Sequence, residues 1–111
     1  MSHLSKASCE ACSAHAIKLS AREIEDLLIE IEDWELVTRD GIQQLTRTFD
    51  TGNYAKSISF TNAVAELAES SNHHPLLIVE YSTVTVVWWS HKIKGLHLND
   101  FIMAARTSGV F

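Results

Sequence analysis

The chain has 111 residues, 46% of them hydrophobic, which suits a single domain with a thin core. Its formal net charge of −5 and its lack of any Lys/Arg-rich run exclude a module that binds duplex nucleic acid through a basic stripe. No apolar run is long enough to cross a bilayer, and the first twenty residues lack the apolar stretch of a signal peptide, so we predict a cytoplasmic protein.

Residues 1–18 are predicted to form a flexible N-terminal tail, followed by a single domain over residues 19–111. The tail is rich in Ser and Ala and shows no sustained hydrophobic period. Cys9 and Cys12 lie in it close to two histidines, and such a group can bind zinc. We interpret the two cysteines as reduced thiols of a tail that lacks core-forming residues, with the zinc site as the alternative.

The first predicted element is a helix over residues 20–32. Ser20 and Glu23 have the spacing of a capping box, and the apolar residues that follow recur at helical intervals. A hairpin comes next, because Asp40-Gly41 supplies the positive φ angles that a tight hairpin turn requires. Its strands are predicted at residues 34–37 and 42–49.

A second, longer helix is predicted from Asn53 to Ser71. Its apolar residues cover more than half of the helix circumference, whereas a helix with one buried face needs a narrower stripe. We therefore expect this helix to pack on the sheet and also on a second surface. We interpret that surface as another subunit of a homodimer or homotetramer, and cover by a loop or by the N-terminal tail is the alternative.

Pro75 is the only proline of the chain, and it disfavours the helical conformation for the residue before it. A second hairpin is predicted over residues 77–81 and 84–90, followed by a last helix over residues 98–106. The resulting order, α-β-β-α-β-β-α, predicts an α+β fold in which helices pack on one face of a four-stranded antiparallel sheet.

A set of three histidines and two carboxylates spans 32 residues in the second half of the chain: Glu69, His73, His74, His91 and Asp100. Histidine titrates near neutral pH, so this group indicates either proton transfer or a metal site. Glu69 and His73 have i, i+4 spacing, so the carboxylate is expected to orient the imidazole if the helix extends that far. Asp100 is expected to fold back toward His91. Adjacent His73 and His74 diverge, which favours acid–base chemistry over metal binding.

Two adjacent tryptophans precede His91. Successive side chains of a strand point to opposite faces, so Trp89 shares a face with His91 and Trp88 does not. Trp89 is therefore the tryptophan expected to line the site. Tyr81 is interpreted as a packing residue.

The spacing Glu69-x3-His73-His74-Pro75-x5-Tyr81-x9-His91-x8-Asp100 resembles the signature of the pterin-4a-carbinolamine dehydratases. The resemblance extends from about Leu19 to Ala105. The segment from Trp88 to His97 is similar to the bacterial branch of that family, which is associated with phenylalanine hydroxylase.

This resemblance implies dehydration of a 4a-hydroxytetrahydropterin to the quinonoid dihydropterin, in the recycling of tetrahydrobiopterin for an aromatic amino acid hydroxylase. It implies that His73 and His91 form the acid–base pair, and that His74 orients the pterin and shares the acid role. The pterin is the substrate, so no cofactor and no metal are expected. Phenylalanine hydroxylase is the implied protein partner. This chain itself is expected to bind neither nucleic acid nor a membrane directly. The residues expected to bind the substrate or to orient the catalytic histidines are Glu69, Ser90, Asp100 and Trp89.

The alternative is a non-catalytic oligomeric binding module that acts as a transcriptional cofactor or as a regulator of the partner hydroxylase. The complete acid–base set favours catalysis, because a scaffold has no need for two carboxylates and three histidines at these positions.

Overall fold

The computed structural model describes residues 18–111, so the predictions for the tail and for Cys9 and Cys12 lie outside the described residues. Three helices and four strands follow one another in the predicted order, α-β-β-α-β-β-α. The helices are α1 (Ala21–Leu28, extended by a 3₁₀ turn over Ile29–Ile31), α2 (Tyr54–Ser71) and α3 (Leu98–Gly109); the strands are β1 (Glu35–Arg39), β2 (Ile42–Asp50), β3 (Leu76–Val79) and β4 (Thr83–Trp88).

Helix α1 begins with the predicted capping box. The backbone N–H of Glu23 donates to Oγ of Ser20 at 3.2 Å, and the backbone N–H of Ser20 donates to Oε1 of Glu23 at 2.9 Å. The hydrogen bond from the Ser20 backbone, followed by the one with its side chain, lowers the pKa of Glu23 below its ordinary value. These contacts satisfy N–H groups that a helix start otherwise leaves without partners.

The four strands form one antiparallel sheet in the order β1-β2-β4-β3. The first hairpin turns at Asp40 and Gly41, whose φ angles of 54° and 77° confirm the predicted turn. In the second hairpin Val79 pairs with Val84, and the backbone N–H of Glu80 donates to the carbonyl of Thr83 at 2.9 Å. The sheet therefore has β2 and β4 at its centre and β3 at one open edge.

One face of the sheet carries the hydrophobic core. Alternate residues of the central strands, Leu45 and Phe49 of β2 and Val84, Val86 and Trp88 of β4, are almost fully buried and pack against the three helices. This arrangement confirms the predicted α+β fold with the helices on one face. None of the helices between residues 18 and 111 combines the length and apolarity needed to cross a membrane.

Helix α2 is buried along one narrow stripe, although apolar residues lie around most of its circumference. The buried positions are Ser57, Phe60, Val64 and Ala68. On its outer side Tyr54 is 54% exposed and Ile58 is 38% exposed. Tyr81 is 73% exposed, so its predicted packing role within the subunit is wrong.

Candidate functional site

The chain leaves α2 through a left-handed turn at Asn72. This residue has φ 50° and ψ 41°, and its backbone N–H bonds back to the carbonyls of Ala68 and Glu69. The turn takes His73 off the helix, although the N–H of His73 still donates to the carbonyl of Ala68 at 3.1 Å. The i, i+4 geometry therefore does not apply, and the predicted pairing of Glu69 with His73 is wrong.

His73 instead pairs with a carboxylate from α3. Its Nε2 lies 2.7 Å from Oδ1 of Asp100, and its ring stacks on Trp88 with centroids 5.6 Å apart and planes 5° apart. His73 is 7% exposed and Asp100 is fully buried. The expected approach of Asp100 to His91 is therefore replaced by a contact with His73.

Three groups hold the carboxylate of Asp100. Besides Nε2 of His73 at Oδ1, the hydroxyl of Ser90 donates to Oδ2 at 2.7 Å and the backbone N–H of His97 donates to Oδ2 at 3.0 Å. Asp100 lies in the first turn of α3, where the helix dipole favours a negative charge. A buried charge needs such partners, since one without them is very costly.

Two further residues position this network. The backbone of Ser90 pairs with Gly95 across a tight turn, with Ser90 N–H donating to the Gly95 carbonyl at 2.9 Å. His97 is the N-cap of α3, and its Nδ1 accepts from the backbone N–H of Asn99 at 3.2 Å. Neither Trp88 nor His97 is among the residues that the sequence predicts for the site. Trp88 could have been predicted, because the alternation of β4 places it on the same face as Ser90, which was a predicted site residue.

His74 forms a second and more open pair. Its Nε2 lies 2.8 Å from Oε1 of Glu69, with the two side chains 56% and 80% exposed. The pair borders a cavity of about 450 Å³ between α2 and the start of β3. The cavity wall consists of the apolar residues Ala65, Ala68, Pro75 and Leu77 and the polar residues Glu66, Glu69 and His74.

His91 follows β4 and is exposed to solvent. Its ring stacks on Trp89 with centroids 4.3 Å apart and planes 13° apart, which is the contact expected from the alternation of the strand. Neither ring nitrogen of His91 has a hydrogen-bond partner among residues 18–111. Within the described range, both nitrogens are therefore open to a bound molecule.

The register of the sheet relates the three histidines to one another. Leu76 of β3 pairs with Val87 of β4. His73 and His74 precede the first residue of β3, and His91 follows the last residue of β4. The backbone of all three histidines therefore belongs to one end of the sheet, where β3 begins and β4 ends.

Within residues 18–111, no three His, Cys, Asp or Glu side chains are grouped as metal ligands. The carboxylates of Glu69 and Asp100 each bind a different imidazole. Chemically, the site offers one buried, oriented imidazole, one open imidazole–carboxylate pair and one stacked imidazole with free nitrogens. Imidazoles of this kind donate and accept protons in acid–base catalysis.

Comparison with known proteins finds a family model and a relative that match nearly the whole chain. The family model described as Pterin 4 alpha carbinolamine dehydratase matches residues 17–110. A relative from Nitrosococcus oceani, provisionally named pterin-4-alpha-carbinolamine dehydratase, is 50% identical over 107 residues, which cover 96% of this chain and 95% of the relative.

Two solved structures share the fold. A crystal structure described as a transcriptional coactivator/pterin dehydratase from Brucella melitensis matches with a TM-score of 0.76 and 26% identity, over 85% of this chain and 98% of that one. A pterin dehydratase-like protein, identified as a RuBisCO assembly factor in the alpha-carboxysome, matches with a TM-score of 0.59 over 70% of this chain and 88% of that one. Its 22% identity supports a likeness of fold alone.

Proposed function

The chain belongs to the pterin-4a-carbinolamine dehydratase family, and on that premise we propose that it converts a 4a-hydroxytetrahydropterin to the quinonoid dihydropterin by histidine acid–base catalysis. Membership makes the protein a hydro-lyase, an enzyme that breaks a carbon–oxygen bond with loss of water. The observation that carries the proposed mechanism is the buried carboxylate of Asp100, which contacts His73 through one oxygen and Ser90 through the other.

The proposed reaction needs one proton delivered and one proton removed. A proton given to the C4a hydroxyl lets it leave as water, while the N5 lone pair forms the C4a–N5 double bond. The proton on N5 then passes to a base, so the two transfers balance. No electrons are gained or lost overall, so the reaction needs no redox cofactor, and in the proposed mechanism the imidazoles supply both the acid and the base. Positioned acids and bases contribute about 10²–10⁴-fold each.

His73 and His91 form the proposed acid–base pair. In His73, a proton on Nε2 donated to Asp100 leaves Nδ1 as the nitrogen that exchanges protons with the pterin. Nδ1 has no partner among residues 18–111. In His91, the stack on Trp89 holds the ring by one face and leaves both nitrogens open. Asp100 thus acts through His73, as an orienting carboxylate does in other acid–base sites.

In the proposed mechanism, the open pair of Glu69 and His74 binds and orients the pterin. The cavity beside it, about 450 Å³, lies within the usual range for small-molecule sites and has mainly apolar walls. A flat heterocycle buries its faces against such walls and presents its polar edges to the imidazole and the carboxylates. We assign His74 to contact with the pterin, with a share in proton donation.

The cellular setting follows from the chemistry of the substrate. A 4a-hydroxytetrahydropterin is left by an aromatic amino acid hydroxylase, so phenylalanine hydroxylase in the cytoplasm is the proposed source and partner. The exposed Tyr54 and Ile58 on the outer side of α2 support assembly into a dimer or tetramer through that helix. A non-catalytic scaffold is not favoured, because burying a carboxylate against an imidazole adds nothing to a binding surface and is costly without a chemical role.

A direct kinetic assay tests the proposal. The 4a-hydroxytetrahydropterin is generated in solution, and its decay is followed by ultraviolet absorbance with and without the protein. Wild type is expected to exceed the buffer rate, and His73→Ala and His91→Ala are each expected to lose about 10²-fold or more. A wild-type rate equal to the buffer rate rejects the proposed function, and loss of activity on adding EDTA rejects the metal-free mechanism.

A further inference from the structure

The cavity beside His74 contains a carboxylate that the proposed acid–base chemistry does not use. Glu66 and Glu69 both line this cavity, and they lie three residues apart on the same face of α2. Oε1 of Glu69 is bound to Nε2 of His74. The Glu66 carboxylate has no hydrogen bond or ion pair with any residue of the described range 18–111. One carboxylate of the cavity is thus engaged and the other is available to a ligand.

The remaining wall of the cavity restricts what that ligand can be. Ala65, Ala68, Pro75 and Leu77 present apolar surface, so the wall favours a flat, largely uncharged molecule. The polar groups of the lining are the engaged pair of Glu69 and His74 and, three residues before Glu69 on α2, the Glu66 carboxylate. A ligand with hydrogen-bond donors on one edge and titratable atoms elsewhere matches this division.

We propose that Glu66 is a specificity-determining residue whose carboxylate binds the 2-amino and N3–H donors of a 2-amino-4-oxopyrimidine ring. This inference rests on the proposed function, since it names the group that recognises the pterin in that site. A carboxylate offers two acceptor oxygens, and two neighbouring N–H donors on one ring edge match them in a paired, charge-assisted arrangement. Fixing the pyrimidine edge at Glu66 leaves the pyrazine ring, with C4a and N5, for His74, the imidazole that borders the cavity.

The proposal predicts a change of specificity as well as a loss of affinity. A lumazine has an oxygen in place of the 2-amino group, so its edge presents an acceptor beside the N3–H donor. That edge mismatches a carboxylate and matches the amide of glutamine, which has one donor and one acceptor. Glu66→Gln should therefore weaken pterin binding and strengthen lumazine binding, whereas a purely structural role for Glu66 moves both together.

The test is equilibrium binding of 6-methylpterin and 6-methyllumazine to the full-length protein, followed by ligand fluorescence. Wild type should bind the pterin about tenfold or more tightly than the lumazine, the ratio expected for one charge-assisted hydrogen bond. Glu66→Gln should abolish or invert this ratio. Glu25→Gln, the same change at an exposed position of α1, should leave it as in wild type.

Two outcomes overturn the inference: a wild type that does not discriminate between the ligands, or a Glu66→Gln variant that keeps the wild-type ratio. The dehydratase assay is run separately on the same proteins. A protein without dehydratase activity whose pterin preference still depends on Glu66 refutes the proposed function and supports this inference. An active dehydratase whose ratio of pterin to lumazine affinity does not depend on Glu66 supports the proposed function and refutes this inference.

Discussion

Oδ1 of Asp100 lies 2.7 Å from Nε2 of His73, and this contact joins the first turn of α3 to the segment between α2 and β3. The two residues are 27 positions apart in the chain and are almost completely buried. The same carboxylate binds the hydroxyl of Ser90 through its other oxygen. Asp100 therefore connects three parts of the fold at the candidate site: the start of α3, the end of β4 and the segment between α2 and β3.

Replacement of Asp100 by Asn should lower kcat by about 10²-fold, because positioned acid–base groups contribute at least that much. The neutral amide no longer stabilises a protonated His73. It can also donate to Nε2, which shifts the ring proton to Nδ1 and leaves that nitrogen unable to accept a proton from the pterin. The measurement is kcat from the ultraviolet assay, with far-ultraviolet circular dichroism to confirm folding.

Ser90→Ala is the control, since it removes one of the hydrogen bonds to the carboxylate and keeps the charge. It should cost about two- to tenfold. Full activity in folded Asp100→Asn would contradict the orienting role.

Replacement of Asn72 tests the turn that places His73. With φ at 50°, glycine should be tolerated with a change of less than about 1 kcal/mol in the free energy of unfolding. Alanine at the same position should cost about 1–2 kcal/mol, because its Cβ crowds the backbone in the left-handed conformation. Urea unfolding of the two variants measures the difference. Equal stability of the glycine and alanine variants would count against a strained turn.

Replacement of Ile58 by Glu tests assembly through α2. A charge placed on the exposed apolar side of the helix should convert the proposed dimer or tetramer to a folded monomer, because burying an unpaired carboxylate in an interface is very unfavourable. Multi-angle light scattering measures the mass. Ser59→Glu is the matched control, as it adds the same charge about 100° around the helix. A wild type that is monomeric at micromolar concentration rejects the proposed assembly.

The capping box predicts a local pH dependence. Because folding lowers the pKa of Glu23, its ionised form stabilises the start of α1 at pH values above the unfolded pKa. That contribution disappears as the pH falls through the folded pKa. An NMR titration of the Glu23 carboxyl should give a midpoint below that of an unfolded peptide, and Ser20→Ala should raise it. The prediction fails if the wild-type midpoint equals the peptide value.

The local elements of this protein were determined by the sequence itself. The capping box of Ser20 and Glu23 and the turn at Asp40-Gly41 each depend on residues within three positions of one another, so the spacing of a few side chains predicts them. The alternation of β4 likewise predicted that Trp89 shares a face with His91, and the two rings stack. The order of helices and strands followed from such signals taken together.

Only the tertiary structure decided which carboxylate meets which imidazole. Sequence spacing favoured Glu69 for His73, but the left-handed turn at Asn72 takes His73 off the helix and leaves Glu69 to His74. The true partner of His73 is Asp100, brought there by the packing of α3 against the sheet. Short-range spacing constrains a side chain only while the backbone keeps one conformation, and a contact across 27 residues depends on how whole elements pack.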